Sequence, residues 1–145
     1  MENQFNEHKR LMENEIPFNK HLGLKTLELR EGYARLSLPF RQEFIGDQRR
    51  PAIHGGIIAT LIDVCGGAAT WTHFKIEDKI STLDIRVDYL RPGPDDDLIA
   101  ESEVLRVGNR VAAVNTRVYS ARDGETVIAE GKAVYNIRRA GEIRE

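Results

Sequence analysis

Only one cysteine, Cys65, occurs in the 145-residue chain, which rules out an internal disulfide framework. The four histidines, His8, His21, His54 and His73, show no metal-ligand spacing among themselves or with Cys65, so no metal is expected. Neither charge sign is in excess: 21 Lys and Arg stand against 23 Asp and Glu. The pairs Arg49-Arg50 and Arg138-Arg139 are too short to form a basic tract, so no nucleic-acid partner is expected. From Met1 to Glu15 the chain is polar and charged, unlike an export signal, and a cytoplasmic location is expected.

The most telling absence lies between His54 and His73, where Asp63 is the sole formally charged side chain. The run is about long enough to cross a bilayer. Its four glycines, three threonines and Asp63 argue against that, and no membrane partner is expected. It reads instead as a buried helix. A buried carboxylate is expensive unless something satisfies it, which makes Asp63 a functional candidate.

Wound at about 100° per residue, the segment has two faces. Ile58, Leu61, Ile62, Cys65 and Ala69 form an apolar one. Opposite them, Gly56, Thr60, Asp63, Gly67 and Thr70 form a stripe of small and polar side chains, unlike the Lys, Glu and Arg of a solvent face. Such a stripe fits a close neighbour, either a packing seam or a ligand site. At the helix start Gly55-Gly56 exposes unpaired N–H groups and partial positive charge, suited to an oxyanion or a polarised carbonyl. Asp63 lies seven residues beyond Gly56, about 10 Å along the helix, too far for both to act on one carbonyl within one subunit. Two copies packed antiparallel through the stripe would bring Asp63 of one to the Gly55-Gly56 end of the other. A homodimer with two composite sites is therefore expected.

The remaining sequence reads mostly as strands around that helix. Leu24 to Arg30 and Tyr33 to Leu38 flank a turn at Glu31-Gly32. Leu83, Ile85, Val87 and Tyr89 alternate with Asp84, Arg86 and Asp88, predicting a strand with one buried face. Leu98 to Val107 and Arg110 to Ala121 flank a two-residue hairpin signal, Gly108-Asn109, and Asp123-Gly124 leads to a last strand, Thr126 to Ile137. At this length one domain is expected, with an amphipathic surface helix in residues 1–22 ended or bent near Pro17, a core over 23–137 and a frayed tail at 138–145. One long helix and an antiparallel sheet make an α+β domain.

His54-Gly55-Gly56 followed by Asp63, then Thr82 and Tyr89-Leu90-Arg91-Pro92, resembles the hotdog-fold acyl-CoA thioesterases of the phenylacetate-degradation (PaaI-like) type. Leu98-Ile99-Ala100-Glu101, Val107-Gly108-Asn109-Arg110 and Asp123-Gly124 extend the match across nearly the whole core, in the family's order. The resemblance implies a sheet of about six strands wrapped around the helix and hydrolysis of a coenzyme A thioester. It implies no cofactor, coenzyme A being part of the substrate. Asp63 would then activate water or attack the carbonyl, and Gly55 with Gly56 of the facing subunit would polarise it. Gln48 would donate to the thioester oxygen or orient water, Thr82 would hold water near Asp63, and His54 would order the loop or contact the thioester. Arg91, Arg106 and Arg110 are candidate contacts for the phosphates of coenzyme A. Ile57, Val64, Trp71 and Phe74 are candidate pocket walls or core. The resemblance also implies a tetramer built from two dimers. A non-catalytic acyl-CoA sensor is the alternative, argued against by Asp63, Gln48 and Thr82 occurring together. A hotdog dehydratase would place its histidine and acid differently.

Overall fold

The computed structural model describes residues 4–141. Two short helices, α1 (Asn6–Asn14) and α2 (Pro17–Leu22), precede strands β1 (Lys25–Arg30) and β2 (Tyr33–Leu38). A 3-10 turn (Gln42–Phe44) and a small ribbon, β3 (Ile45–Asp47) with β4 (Ala52–Ile53), lead into helix α3 (Gly55–Trp71). Strands β5 (Lys79–Tyr89), β6 (Leu98–Val107), β7 (Val111–Ser120) and β8 (Asp123–Arg138) follow. Six strands form one antiparallel sheet in the order β1-β2-β6-β7-β8-β5, packed on α3. This is the expected α+β hotdog architecture, with β5 at one edge.

The apolar face of α3 is the centre of the core. Ile58, Leu61, Ile62, Cys65 and Ala69 are each at most 1% exposed, every large side chain contributing about 1.5–3 kcal/mol by burial. On the opposite stripe Gly56 is exposed, while Thr60, Asp63 and Gly67 are half-buried. Thr70 departs from this pattern. It is buried, and its hydroxyl donates back to the Gly66 carbonyl at 3.0 Å, as a β-branched hydroxyl in a helix interior commonly does. Thr72 closes the helix by donating to Ala69 O and accepting from Gly32 N, which ties the end of α3 to the β1–β2 turn. At that turn Gly32 has φ +76°, a conformation glycine adopts without strain.

Several boundaries differ from the sequence expectation. The N-terminal segment is two helices, α1 ending at Asn14 and α2 starting at Pro17, and α1 is not a surface element alone: Met12 and His8 are buried beneath it. The β3–β4 ribbon was not foreseen, its strands being too short for a periodic signal. Between β6 and β7, Gly108 N–H donates to Val111 O at 2.8 Å, so Asn109 and Arg110 form the tip. Neither Gly108 nor Asn109 has positive φ, so this is not the primed turn that Gly-Asn suggests. Asp123 opens β8 instead of forming its turn, and accepts from the N–H groups of Glu125 and Thr126. Arg138 closes β8; of the expected tail, residues 142–145 lie outside the described residues.

The largest departure is in β5. Its pairing with β8 slips between Thr82 and Asp84, leaving a bulge at Leu83. A bulge inserts one residue and so reverses the inward-outward alternation. Ile80 and Thr82 before it, and Ile85 and Val87 after it, thereby face the same side. Leu83 itself is 60% exposed and Tyr89 52%, so the single buried face predicted for Leu83, Ile85, Val87 and Tyr89 holds only at its two middle positions.

Candidate active site

Asp63 sits midway along α3, where its carboxylate reaches the bulged part of β5. Thr82 Oγ1 donates to Asp63 Oδ1 at 2.6 Å, and without the bulge Thr82 would share a face with Asp84, away from the helix. Among the described residues nothing donates to Asp63 Oδ2, which leaves that oxygen for water or a carbonyl carbon. Below the carboxylate, Tyr135 of β8 donates its hydroxyl to the Asp63 carbonyl at 2.8 Å. Burial raises the Tyr135 hydroxyl above its ordinary value, the Asp63 charge adding to the effect, so it stays a donor. It passes over Gly66, where an added Cβ would lie 2.3 Å from the hydroxyl oxygen. Cys65, about half a turn away on the apolar face, is no rival nucleophile: burial pushes its thiol up to about 12.

The start of α3 forms a second cluster. His54 caps the helix, its Nδ1 accepting from Gly56 N–H at 2.9 Å, while its own N–H is held by Phe44 O at 2.8 Å. The Gly56 N–H is therefore occupied within the subunit. Among the described residues nothing accepts from the Gly55 N–H, and the Tyr89 hydroxyl donates to the Gly55 carbonyl at 2.7 Å. Of the two N–H groups expected at this helix end, Gly55 alone is presented without a partner. The eight residue steps from Gly55 to Asp63 span about 12 Å along the helix. The two clusters do not meet within one subunit.

The remaining sequence candidates lie apart. Gln48 is exposed in the β3–β4 turn. Arg91, beyond β5, donates to Val127 O at 2.5 Å. Arg110 at the β6–β7 tip and Arg106 on β6 lie beside a shallow, exposed recess lined with Gly108, Asn109 and Val111.

Asp63 and Thr82 open into a cleft of about 310 Å³ between α3, β5 and the N-terminal helices. That lies at the low end of the range of ~300–1,000 Å³ for small-molecule sites. Val64 and Trp71 line it as expected; Ile57 and Phe74 do not. Met12, Ile16 and Asn19 also line it, and nothing in the sequence placed them there. Tyr135 was equally unmarked, apart from being the one aromatic residue of β8.

A sheet wrapped on one helix, with a helix carboxylate at a cleft beside the edge strand, defines a hotdog-fold enzyme. The chain belongs to the thioesterase superfamily, whose sequence model matches residues 51–127, and it is accordingly a thioester hydrolase. It is 31% identical over 135 residues to the medium/long-chain acyl-CoA thioesterase YigI of Salmonella typhimurium, covering 84% of this chain and 86% of that protein. A crystal structure of a protein from the thioesterase superfamily aligns with a TM-score of 0.86 and 34% identity, over 94% of this chain and 100% of that one. A putative thioesterase from Syntrophus aciditrophicus aligns with a TM-score of 0.77 and 29% identity, over 91% and 94% of the two chains. Among the described residues no helix is long and apolar enough to cross a membrane.

Proposed function

We propose that this chain is a PaaI-like acyl-CoA thioesterase that acts in the cytoplasm on aliphatic acyl groups, as a homodimer with composite sites that pairs further into a tetramer. The observation that carries the chemistry is the Thr82–Asp63 hydrogen bond of 2.6 Å at the mouth of an apolar cleft. Asp63 takes a proton from the water that attacks the thioester carbon, or attacks that carbon itself to give a mixed anhydride that water then hydrolyses. The Gly55 N–H of the facing subunit stabilises the oxyanion that develops, and coenzyme A leaves as a thiolate, a good leaving group. Thr82 holds the carboxylate or its water in line, and His54 orders the Gly55 loop by capping Gly56. Gln48, exposed in its turn, is free to reach the thioester across the interface. Arg106 and Arg110, and Arg91 with its remaining N–H groups, are the phosphate contacts of this reading.

The dimer is supported by an incomplete surface. The 11-residue β5 is an edge strand with Leu83, Tyr89 and Leu90 at 60%, 52% and 50% exposure at or beside it. An edge that long and apolar invites pairing. Antiparallel pairing of two β5 edges would also set the α3 stripes side by side, bringing one Asp63 to the other Gly55. The aliphatic preference is supported by the substrate class in the name of the YigI relative.

Thiol release across a panel of aryl and aliphatic acyl-CoAs tests this reading. Wild-type protein is expected to release thiol, and Asp63→Asn and Asp63→Ala to lose about 10²–10⁴-fold in kcat. Release that survives both substitutions contradicts it. Single turnovers in heavy-oxygen water distinguish base from nucleophile, since only nucleophilic attack labels the Asp63 carboxylate.

A further inference from the structure

We infer that the N-terminal helices close the acyl channel, with Met12 and Trp71 acting as a ruler that admits saturated acyl chains of medium length; this rests on the thioesterase reading of Asp63. Asp63, Gly67 and Trp71 follow one another at four-residue spacing, and with Val64 and Ala68 they fill one arc of α3 of about 140°. All five line the same cleft. From Asp63 to Trp71 the axial distance is about 12 Å. At roughly 1.25 Å of projected length per bond, from a ~1.52 Å bond and a ~111° angle, this accommodates about nine or ten carbon–carbon bonds.

The far end is built to stay closed. The Trp71 indole N–H donates to Lys75 O at 3.0 Å, which fixes the ring. The His8 ring of α1 meets it edge-on, with centroids 4.8 Å apart. Met12 is 5% exposed, and its carbonyl accepts from Asn19 Nδ2 at 3.1 Å, locking α1 to α2. Glu13 accepts from Thr26 N–H at 2.7 Å, locking α1 to β1. Asp78, at the same end, accepts from the N–H groups of Lys75 and Ala140, one on each carboxylate oxygen, so it draws no polar ligand inward. The polar side chains of this wall, Asn19 and Asp78, are thus engaged within the chain, and its backbone is tied on both sides.

Trp71 is the only tryptophan in the chain, so its emission reports whether a chain reaches it. The probes are S-alkyl-CoA thioethers, which cannot be hydrolysed, from butyl to hexadecyl, with CoA alone as the baseline. In wild-type protein butyl-CoA is expected to leave the emission as CoA does, and octyl- and decyl-CoA to shift it to shorter wavelength. Hexadecyl-CoA should bind about tenfold or more weakly than decyl-CoA. Met12→Ala should remove that penalty. Ala68→Leu should weaken decyl-CoA while sparing butyl-CoA, and it does not depend on α1 tolerating a cavity. Emission that ignores chain length while the thioethers bind, or an unchanged affinity ranking in both variants, overturns the ruler. Hydrolysis of octanoyl-CoA by the same wild-type protein separates the cases: if it proceeds, the ruler alone falls, and if wild type neither hydrolyses nor binds, the thioesterase reading falls with it.

Discussion

Gly66→Ala is the substitution for which the geometry predicts the reverse of the local rule. Alanine in a helix interior is favoured over glycine by about 0.8–1.0 kcal/mol, so propensity alone predicts a gain. Here the new Cβ would lie 2.3 Å from the Tyr135 hydroxyl oxygen and 3.0 Å from Cζ, against an ordinary contact of 3.4–4 Å. The ring belongs to a side chain only 1% exposed, so it cannot swing aside without displacing its packed neighbours. The hydroxyl must retreat by about 1 Å, which breaks its 2.8 Å bond to the Asp63 carbonyl. Overpacking costs about 1–3 kcal/mol and the unmade buried bond about 1–3 kcal/mol, so after the propensity gain the net loss is about 1–5 kcal/mol. Tyr135→Phe alone should cost about 1 kcal/mol, and with the hydroxyl gone the closest contact disappears. The double variant should then be at least about 1 kcal/mol more stable than the sum of the two singles. Urea unfolding of all four proteins measures this cycle. A Gly66→Ala protein more stable than wild type, or strictly additive energies, refutes the placement of Tyr135 beneath Asp63.

Two further substitutions probe the site and its support. Thr82→Val keeps the β-branched shape and removes the donor to Asp63. It should lower kcat/KM by about ten- to a hundredfold, the worth of one hydrogen bond to a charged group, while stability changes by less than about 1 kcal/mol; unchanged kcat/KM contradicts the role given to Thr82. Burial would raise the Asp78 carboxyl, but the Ala140 and Lys75 N–H groups outweigh it and hold the group below its usual range. Its stabilisation is therefore complete above the unfolded value near ~3.9 and lost as pH falls through the lower folded value. Asp78→Asn should reduce neutral-pH stability by about 1–3 kcal/mol and flatten the acid limb of the stability curve, and unfolding curves that run parallel to wild type at every pH refute this.

The helix and its phase were readable because both are local. The apolar face of α3 follows from side chains three and four residues apart, and the same spacing put Asp63 on the open stripe. The motif match then carried the reading across to Thr82. What was not readable depends on distant pairing. Strict alternation in β5 failed because the bulge at Leu83 exists only relative to β8. Tyr135 lies 72 positions from the carbonyl it holds, and no local pattern reports such a contact. The N-terminal helix carried enough charge to suggest a surface role, whereas Met12 on its inner side closes the cleft. Of the glycine pair, only the folded structure shows that His54 occupies the Gly56 N–H and leaves that of Gly55 unpartnered among the described residues.

The central claim, that one subunit supplies the carboxylate and the other the N–H, is tested most directly by mixing two inactive proteins. Asp63→Asn removes the base or nucleophile. Gly55→Pro removes the N–H at a first helical position that accepts proline, and His54 before it already has φ −55° and ψ 131°, a conformation proline tolerates in its predecessor. Its ring would press Tyr89 by a few tenths of an ångström, which a half-exposed side chain can absorb. After unfolding and refolding together in equal amounts, half the dimers are mixed, and each mixed dimer holds one site with both groups intact. Acyl-CoA hydrolysis should return to about one quarter of the wild-type rate. A mixture as inactive as its components would place Asp63 and Gly55 of the same subunit in each site and contradict the account.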